Sequence, residues 1–466
     1  MKNKQKSGSE LDLFTPIVEI FHELCVLLFS VLFELGKLAF RKIMNKAPEM
    51  EKIERKALRV SRETSSEYAL GIDTRTKKEI KLGDIDFGKH TFIVGASGFG
   101  KTNLISILQE NSLLNNKPII FVDPKGDAEA LDTFRRLCQQ YNRTCYVFSE
   151  HDPDSISLNP ILEGTESQVS DRLMGAFVWS EEFYKDACRR SLNKALDHLK
   201  LEDKPFTLKN IYDYLCAHET KENLGIITKI ENILKSDFGK ILNAGHDGLT
   251  ISKVREERAC LYIGLSVQGY GETAVAIGKL FLGELLFNSY STLLKIGKDS
   301  LAKTHSMSIY FDEFGSLITP QFIELENKCR GAGMELTMAV QTASDINRVD
   351  PELTIQVIEN TANFFIFKQR MQVNAEIFSQ AIGTILAKKQ TYKVENGEKQ
   401  DSASEREVHE MIVHPDVIKN LGVGQCVLLR QGRPAKVNLI NIRNRDKALM
   451  KKIAVLKIKE AGAFDK

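Results

Sequence analysis

Three things are scarce in this 466-residue chain. Net charge is the first: 64 Lys and Arg stand against 62 Asp and Glu, a formal balance of +2. Global charge therefore gives no argument for a nucleic-acid partner, and any such partner has to be argued from motifs. Paired cysteine is the second. The eight cysteines are scattered, with no C-x-x-C pair and no histidine nearby at zinc-finger spacing, so they read as reduced thiols of a cytosolic domain rather than as redox or metal ligands. The third is an uncharged run of membrane-spanning length. LCVLLFSVLF, residues 24–33, covers only about 15 Å at 1.5 Å per residue, roughly half of a hydrocarbon core. Internal repeats and a cleavable signal are missing too: Glu10 and Asp12 precede the apolar stretch, and no small-residue cleavage site follows it.

Widening that stretch to residues 14–40 brings in Glu19, Glu23 and Glu34, each costing about 2.5–3.5 kcal/mol at mid-bilayer, where a leucine returns only about 0.3–0.6. At about 100° per residue, Glu19, His22, Glu23, Ser30, Glu34, Lys37 and Arg41 share one stripe and leave a broad apolar face. Residues 1–45 are thus expected to hold an amphipathic helix. It can lie in the membrane interface, span within an oligomer or pack on protein. If it inserts, Lys37, Arg41, Lys42 and Lys46 keep the rest of the chain on the cytoplasmic side.

What is present is apolar content of 42%, enough for a large core divided into two or three domains. Residues 46–66 are charge-rich and read as a linker, and 67–84 as a hairpin. Eight continuous apolar runs then follow as buried strands: 91–95, 118–123, 144–148, 259–265, 308–313, 336–341, 363–368 and 426–430. Runs this continuous indicate an α/β fold with a mostly parallel sheet covered on both faces. Residues 165–250 show helical periodicity and almost no strand signal, which suggests an all-α subdomain inserted between a first (67–164) and a second (251–445) part of the α/β domain. The polar stretch 394–407 reads as a surface loop, and 446–466 as a basic helix.

The most informative stretch is GASGFGKTN, residues 95–103, after the strand TFIV and before the helical NLISILQE. Gly95, Gly100, Lys101 and Thr102 fit G-x-x-x-x-G-K-[ST] in the context that motif requires. Backbone N–H groups of Ser97, Gly98, Phe99 and Asn103, with the helix dipole, would cradle the phosphates of ATP. Lys101 would reach the β and γ phosphates, and Thr102 would hold Mg²⁺ through its hydroxyl. A second signal is SIYFDEFG, a buried strand ending in Asp312 and Glu313. In α/β folds ligands bind at that edge, so Asp312 is placed for the metal shell and Glu313 for polarising water. Gln341 ends the strand LTMAVQ as a candidate water- or γ-phosphate-sensing amide, and Arg330 stands before a glycine turn.

GASGFGKTN, FVDPKGD (121–127), the helical stretch, IYFDEFG, CRGAGMELTMAVQTASDI and VHPDVIKNLGVGQCVLLR, in that order, make the chain similar to type IV secretion coupling proteins. These are the TraD/TraG-like ATPases of conjugation, related to FtsK and HerA motors. The resemblance covers residues 65–440. It implies a RecA-like P-loop nucleotide-binding domain with an all-α subdomain and a hexameric ring. Such a ring would couple ATP hydrolysis to passing DNA, with a bound relaxase, into a secretion channel at the cytoplasmic face of the bacterial inner membrane. Carried over, Lys101 and Thr102 fall on the phosphate loop, Asp312 and Glu313 on the acidic pair, and Gln341 on the third motif. Arg330 falls on an arginine that enters the neighbouring subunit's site, and Asp123 and Lys125 fall near the nucleotide. One amphipathic stretch stands where many members carry two membrane helices. A nucleotide-gated receptor that pumps nothing, or a DNA translocase unconnected to secretion, are the alternatives, and the intact acid pair favours a motor.

Overall fold

The computed structural model describes residues 69–85, 87–246, 248–296, 306–347, 351–395, 398–431 and 436–443. The expected amphipathic helix, the linker and the basic terminal helix lie outside these residues. The strands are β1 (Ala69–Asp73), β2 (Glu79–Lys81), β3 (Thr91–Val94), β4 (Ile119–Asp123), β5 (Cys145–Phe148), β6 (Cys260–Gly264), β7 (Met307–Phe311), β8 (Met334–Val340), β9 (Asn363–Ile366), β10 (Thr384–Glu395), β11 (Glu398–Met411), β12 (Gln425–Arg430) and β13 (Lys436–Ile442). The helices are α1 (Lys101–Leu114), α2 (Ala128–Gln140), α3 (Glu166–Ala176), α4 (Glu182–Leu201), α5 (Leu208–Ala217), α6 (Leu224–Lys235), α7 (Ile251–Glu256), α8 (Val267–Ile296), α9 (Pro320–Cys329), α10 (Ala343–Asn347), α11 (Pro351–Asn360), α12 (Gln372–Ile382) and α13 (Pro415–Lys419).

Residues 384–412 form a compact unit of their own among the described residues, apart from the main body. It is the antiparallel ribbon β10–β11, in register from Thr384↔Met411 to Glu395↔Glu398. The loop expected over 394–407 is corrected here: most of it is the strand β11. The strand was missed because a ribbon needs no apolar face; paired backbone groups and cross-strand charges hold it. Lys388 pairs diagonally with Glu405 at 3.4 Å, and Lys389 with Glu410 at 2.5 Å.

In the main body an 11-stranded sheet runs β2-β1-β13-β12-β9-β3-β8-β7-β4-β6-β5. From β9 to β5 every neighbouring pair is parallel. All eight apolar runs are strands, but CVLLR joins antiparallel: β12 pairs with both β9 and β13 in that sense, and the hairpin β1–β2 extends the same edge. Strand β13 has no continuous apolar run, because KVNLINI mixes polar with apolar positions. One face of the sheet buries Ile93, Phe365, Phe367, Leu428 and Ile440 with Leu104, Ile107 and Leu108 of α1 and Phe134 of α2 in one core. Between β5 and β6 the described chain is helical, α3 to α7. Thr165 opens α3 with a capping box to Gln168, and Thr207 and Thr250 cap α5 and α7.

Helix α1 carries the glycine-loop lysine at its first residue, so its anchoring sets the site. Glu110, near its far end, meets Arg443 just past β13 at 2.6 Å with both side chains almost fully buried, and the Arg443 carbonyl accepts from the Asn103 amide at 2.9 Å. Removing one member of a buried ion pair leaves an uncompensated charge, which typically costs about 3–5 kcal/mol, whereas replacing both by apolar residues is often neutral. Glu110→Ala is therefore expected to lower unfolding stability by about 3 kcal/mol in urea titration. The double variant Glu110→Leu/Arg443→Met is expected to recover most of that loss.

Candidate active site

Strand β3 is buried along its whole length and delivers the chain to Gly95 at the carboxyl edge of the sheet. A side chain at 95 would stand 2.3 Å from Phe367 Cβ just past the neighbouring strand β9, so only glycine lets the loop leave here. Gly100, at φ 106°, closes the loop and caps α1. Between them Ser97 and Gly98 are exposed. Phe99 packs inward, with its carbonyl accepting from Gly424 N at 2.9 Å and Lys368 Nζ lying 5.4 Å from its ring centre. Thr102 is exposed on the first turn of α1, whereas Lys101 is buried and donates to the Gly95 carbonyl at 2.6 Å. The Asn103 side chain is committed to Arg443.

The parallel register gathers the other groups. Val94 pairs with Val340, so Gln341 follows at the level of Gly95; Val122 pairs with Phe311, so Asp123 and Asp312 emerge side by side. Glu313 adopts a left-handed backbone at φ 45°, ψ 44°, a conformation that is costly outside glycine and is concentrated at functional positions. Its carboxylate is held by Gln341 Nε2 at 2.8 Å and by an ion pair with Lys125, and its N–H donates to Asp312 Oδ1 at 2.9 Å. Asp123 shapes the turn that carries Lys125. It accepts from Tyr262 Oη at 2.7 Å, Asp127 N at 2.9 Å and Lys125 N at 3.0 Å.

Burial dominates the electrostatics. It pushes the Asp312 carboxyl up to about 6, with Asp123 and Glu313 adding to the rise and Lys125 and Lys101 opposing it. Burial also lowers the Lys101 pKa, against the pull of Asp312 and Glu313. For Lys125 burial opposes the charge, but Glu313, Asp312 and Asp123 outweigh it and hold the pKa above its ordinary value. Burial raises Asp123, despite the hydrogen bonds from Tyr262, Asp127 and Lys125. Crowded carboxylates of this kind favour a divalent cation. Among the described residues no three His, Cys, Asp or Glu side chains are arranged to hold one alone. Mg²⁺ keeps several waters and is bound by one or two protein oxygens together with substrate phosphates. The Thr102 hydroxyl and the Asp312 carboxylate are the groups of this chain suited to it.

Arg330 is elsewhere. It is exposed in the turn before β8. The seven residues of β8 rise about 3.3 Å each, which sets Arg330 about 20 Å or more from the edge that holds Lys101. The structure thus brings Lys101, Asp123, Lys125, Asp312, Glu313 and Gln341 together and leaves Arg330 on the opposite edge of the sheet. The Lys125–Glu313 ion pair, the Tyr262 hydroxyl and the Arg443 anchor carry no sequence signal, since each joins residues far apart in the chain.

Two family models match. One is described as the TraM recognition site of TraD and TraG, over residues 306–422, and the other as the central domain of helicase HerA, over 72–256. An uncharacterized protein of Mycoplasma pneumoniae is 35% identical over 69 residues, 14% of this chain and 58% of that protein's length. Among solved structures, the unbound bacterial conjugative coupling protein TrwBdeltaN70 is similar with a TM-score of 0.60 at 15% identity, covering 82% of this chain and 91% of its own. The plasmid coupling protein TrwB with ADP and Mg²⁺ gives 0.58 at 15%, covering 84% and 93%. VirB4 of Thermoanaerobacter pseudethanolicus gives 0.55 at 14%, covering 82% and 97%. The fold is the RecA-like P-loop fold these structures share.

The raised pKa of Asp312 has a definite sign. Between the ordinary aspartate value and about 6 the folded chain holds a proton that the unfolded chain does not, so this group's contribution to stability falls as pH rises through that window. At pH 7.5 Asp312→Asn is expected to raise unfolding stability by about 1–3 kcal/mol. That gain should vanish near pH 4, and Mg²⁺-dependent turnover should be lost throughout. Melting curves of both proteins across pH 4–8 check the first two points.

Proposed function

We propose that this TraD/TraG-like coupling protein of the P-loop superfamily hydrolyses ATP to recruit DNA, with its bound relaxase, to a type IV secretion channel and drive it through. The observation that carries the reading is the placement of Glu313 and Gln341 beside Lys101 at one sheet edge. Lys101 would exchange the Gly95 carbonyl for the β and γ phosphate oxygens. Thr102 and Asp312 would hold Mg²⁺, which would neutralise charge developing on the phosphoryl oxygens. Glu313 would orient the attacking water and take its proton, and Gln341 would keep that carboxylate aimed while reaching towards the γ phosphate. TrwB has been solved with ADP and Mg²⁺, which supports the same pair of ligands for this chain.

A ring would give the placement of Arg330 a role. Its edge of the sheet presents exposed Tyr290, Leu293 and Leu294, with Leu293 packed near Gly331. The carboxyl edge presents exposed Met371 and Val423, the latter next to Gly424 against Gly100. Unlike exposed apolar side chains on opposite edges suit a head-to-tail contact, and such contacts form rings where the rotation closes. In that ring Arg330 would enter the neighbour's site and stabilise transition-state charge there. No helix among the described residues is long and apolar enough to cross a membrane. Attachment to the inner membrane's cytoplasmic face is assigned to the amphipathic stretch within residues 1–45.

The test is ATPase activity with and without single- and double-stranded DNA, across protein concentration. DNA is expected to stimulate turnover severalfold, and activity per subunit to rise with concentration as shared sites form. Glu313→Gln is expected to lower turnover by about 10²–10⁴ with nucleotide affinity unchanged. Activity that stays flat with concentration would count against Arg330 acting in trans.

A further inference from the structure

His90 immediately precedes β3, the strand that ends in the phosphate loop, yet its side chain faces the other end of the molecule's chemistry. It is 2% exposed. Its Nδ1 accepts from Leu336 N at 3.2 Å, so Nε2 carries the proton and donates to the Glu326 carbonyl at 2.9 Å. Leu336 lies near the start of β8 and Glu326 in the last turn of α9, and the connection between the two elements consists of Arg330, Gly331, Ala332 and Gly333. The ring therefore grips both stems of the loop that carries Arg330. Cys329 Sγ lies 3.8 Å from Nε2 and is fully buried, which places the residue before Arg330 against the imidazole. The His90 carbonyl accepts from Ala362 N and Asn363 N at 3.3 Å each, locking the start of β9 to the same point. Burial, together with the Arg330 charge, lowers the imidazole pKa, in keeping with a neutral ring.

We infer that His90 is a positioning residue for Arg330: through its bonds to Leu336 and Glu326 it ties the arginine's loop to β3, so that the strand holding a subunit's own phosphate loop also sets the arginine that serves its neighbour. The inference rests on Arg330 acting in trans, as proposed above. It goes further by naming the part that joins the two sites within one subunit. Four buried residues, Thr91, Phe92, Ile93 and Val94, separate His90 from Gly95, so a shift of the loop on binding phosphate has a short, rigid path to this bracket.

Mixed oligomers test this. Lys101→Ala subunits cannot turn over but keep Arg330; Arg330→Ala subunits keep a complete phosphate loop but cannot serve a neighbour. Alone, His90→Leu is expected to lose turnover about as far as Arg330→Ala does, with ATP affinity within about threefold of wild type. Mixed with equimolar Lys101→Ala, both Arg330→Ala and His90→Leu are expected to regain activity, because the partner's arginine completes their sites. His90→Gln, which can still accept from Leu336 and donate to Glu326, is expected to stay near wild-type turnover. If His90→Leu fails to fold, as its melting curve would show, His90→Asn, too short for both partners, replaces it in the same mixtures. Regained activity for Arg330→Ala but not for the His90 variant would overturn the inference, since His90 would then act on its own subunit's site. Failure of the Arg330→Ala mixture would overturn the trans reading itself, and the inference with it.

Discussion

Three carboxylates and two lysines are held together where four neighbouring parallel strands end, and most of that charge is out of water. Such a cluster is tolerated only because the signs alternate. Lys101 leans on the Gly95 carbonyl with Asp312 and Glu313 favouring its charge, and Lys125 pairs with Glu313. The sheet register makes the cluster unavoidable. β3, β8, β7 and β4 pair so that Gly95, Gln341, Asp312 and Asp123 all leave the sheet at one edge. Even so the balance is incomplete, as the upward displacement of Asp312 shows. A buried acid kept at this cost, with a glutamate in a left-handed conformation beside it, is the kind of strain that concentrates at functional positions.

Under the trans reading proposed above, one copy alone would be incomplete. A single parallel sheet offers one carboxyl edge, and Arg330 emerges at the amino edge, one strand length away. Within one subunit it has no route to a phosphate cradled at Gly95. The head-to-tail stacking proposed above would remove the difficulty and would cover exposed Leu293 and Leu294 on one edge and Met371 and Val423 on the other. His90 then acquires meaning as the point where β3, β8, β9 and α9 converge.

The parts legible in the sequence were those with local signatures. The strand–glycine loop–helix around Lys101 and the eight continuous apolar runs indicated a parallel α/β sheet, and the family models and solved structures support the fold. The polar ribbon β10–β11 escaped notice because its stability comes from pairing rather than from a buried face, and β13 because Asn438 and Asn441 interrupt its apolar pattern. Contacts between distant residues left no trace: Lys125 with Glu313, Tyr262 with Asp123, Arg443 with Glu110 and His90 with Leu336. Cys145 and Cys260, scattered in sequence, are direct neighbours on β5 and β6. Periodicity reports which face of an element is buried, not what it is buried against.

The most direct measurement is a crystal structure of this chain with a non-hydrolysable ATP analogue and Mg²⁺. Lys101 should have left the Gly95 carbonyl for the terminal phosphates, with the metal between the Thr102 hydroxyl and Asp312 and a water held by Glu313. Nucleotide bound away from the Gly95–Thr102 loop, or a Glu313 carboxylate turned from the γ phosphate with no water between them, would contradict the account.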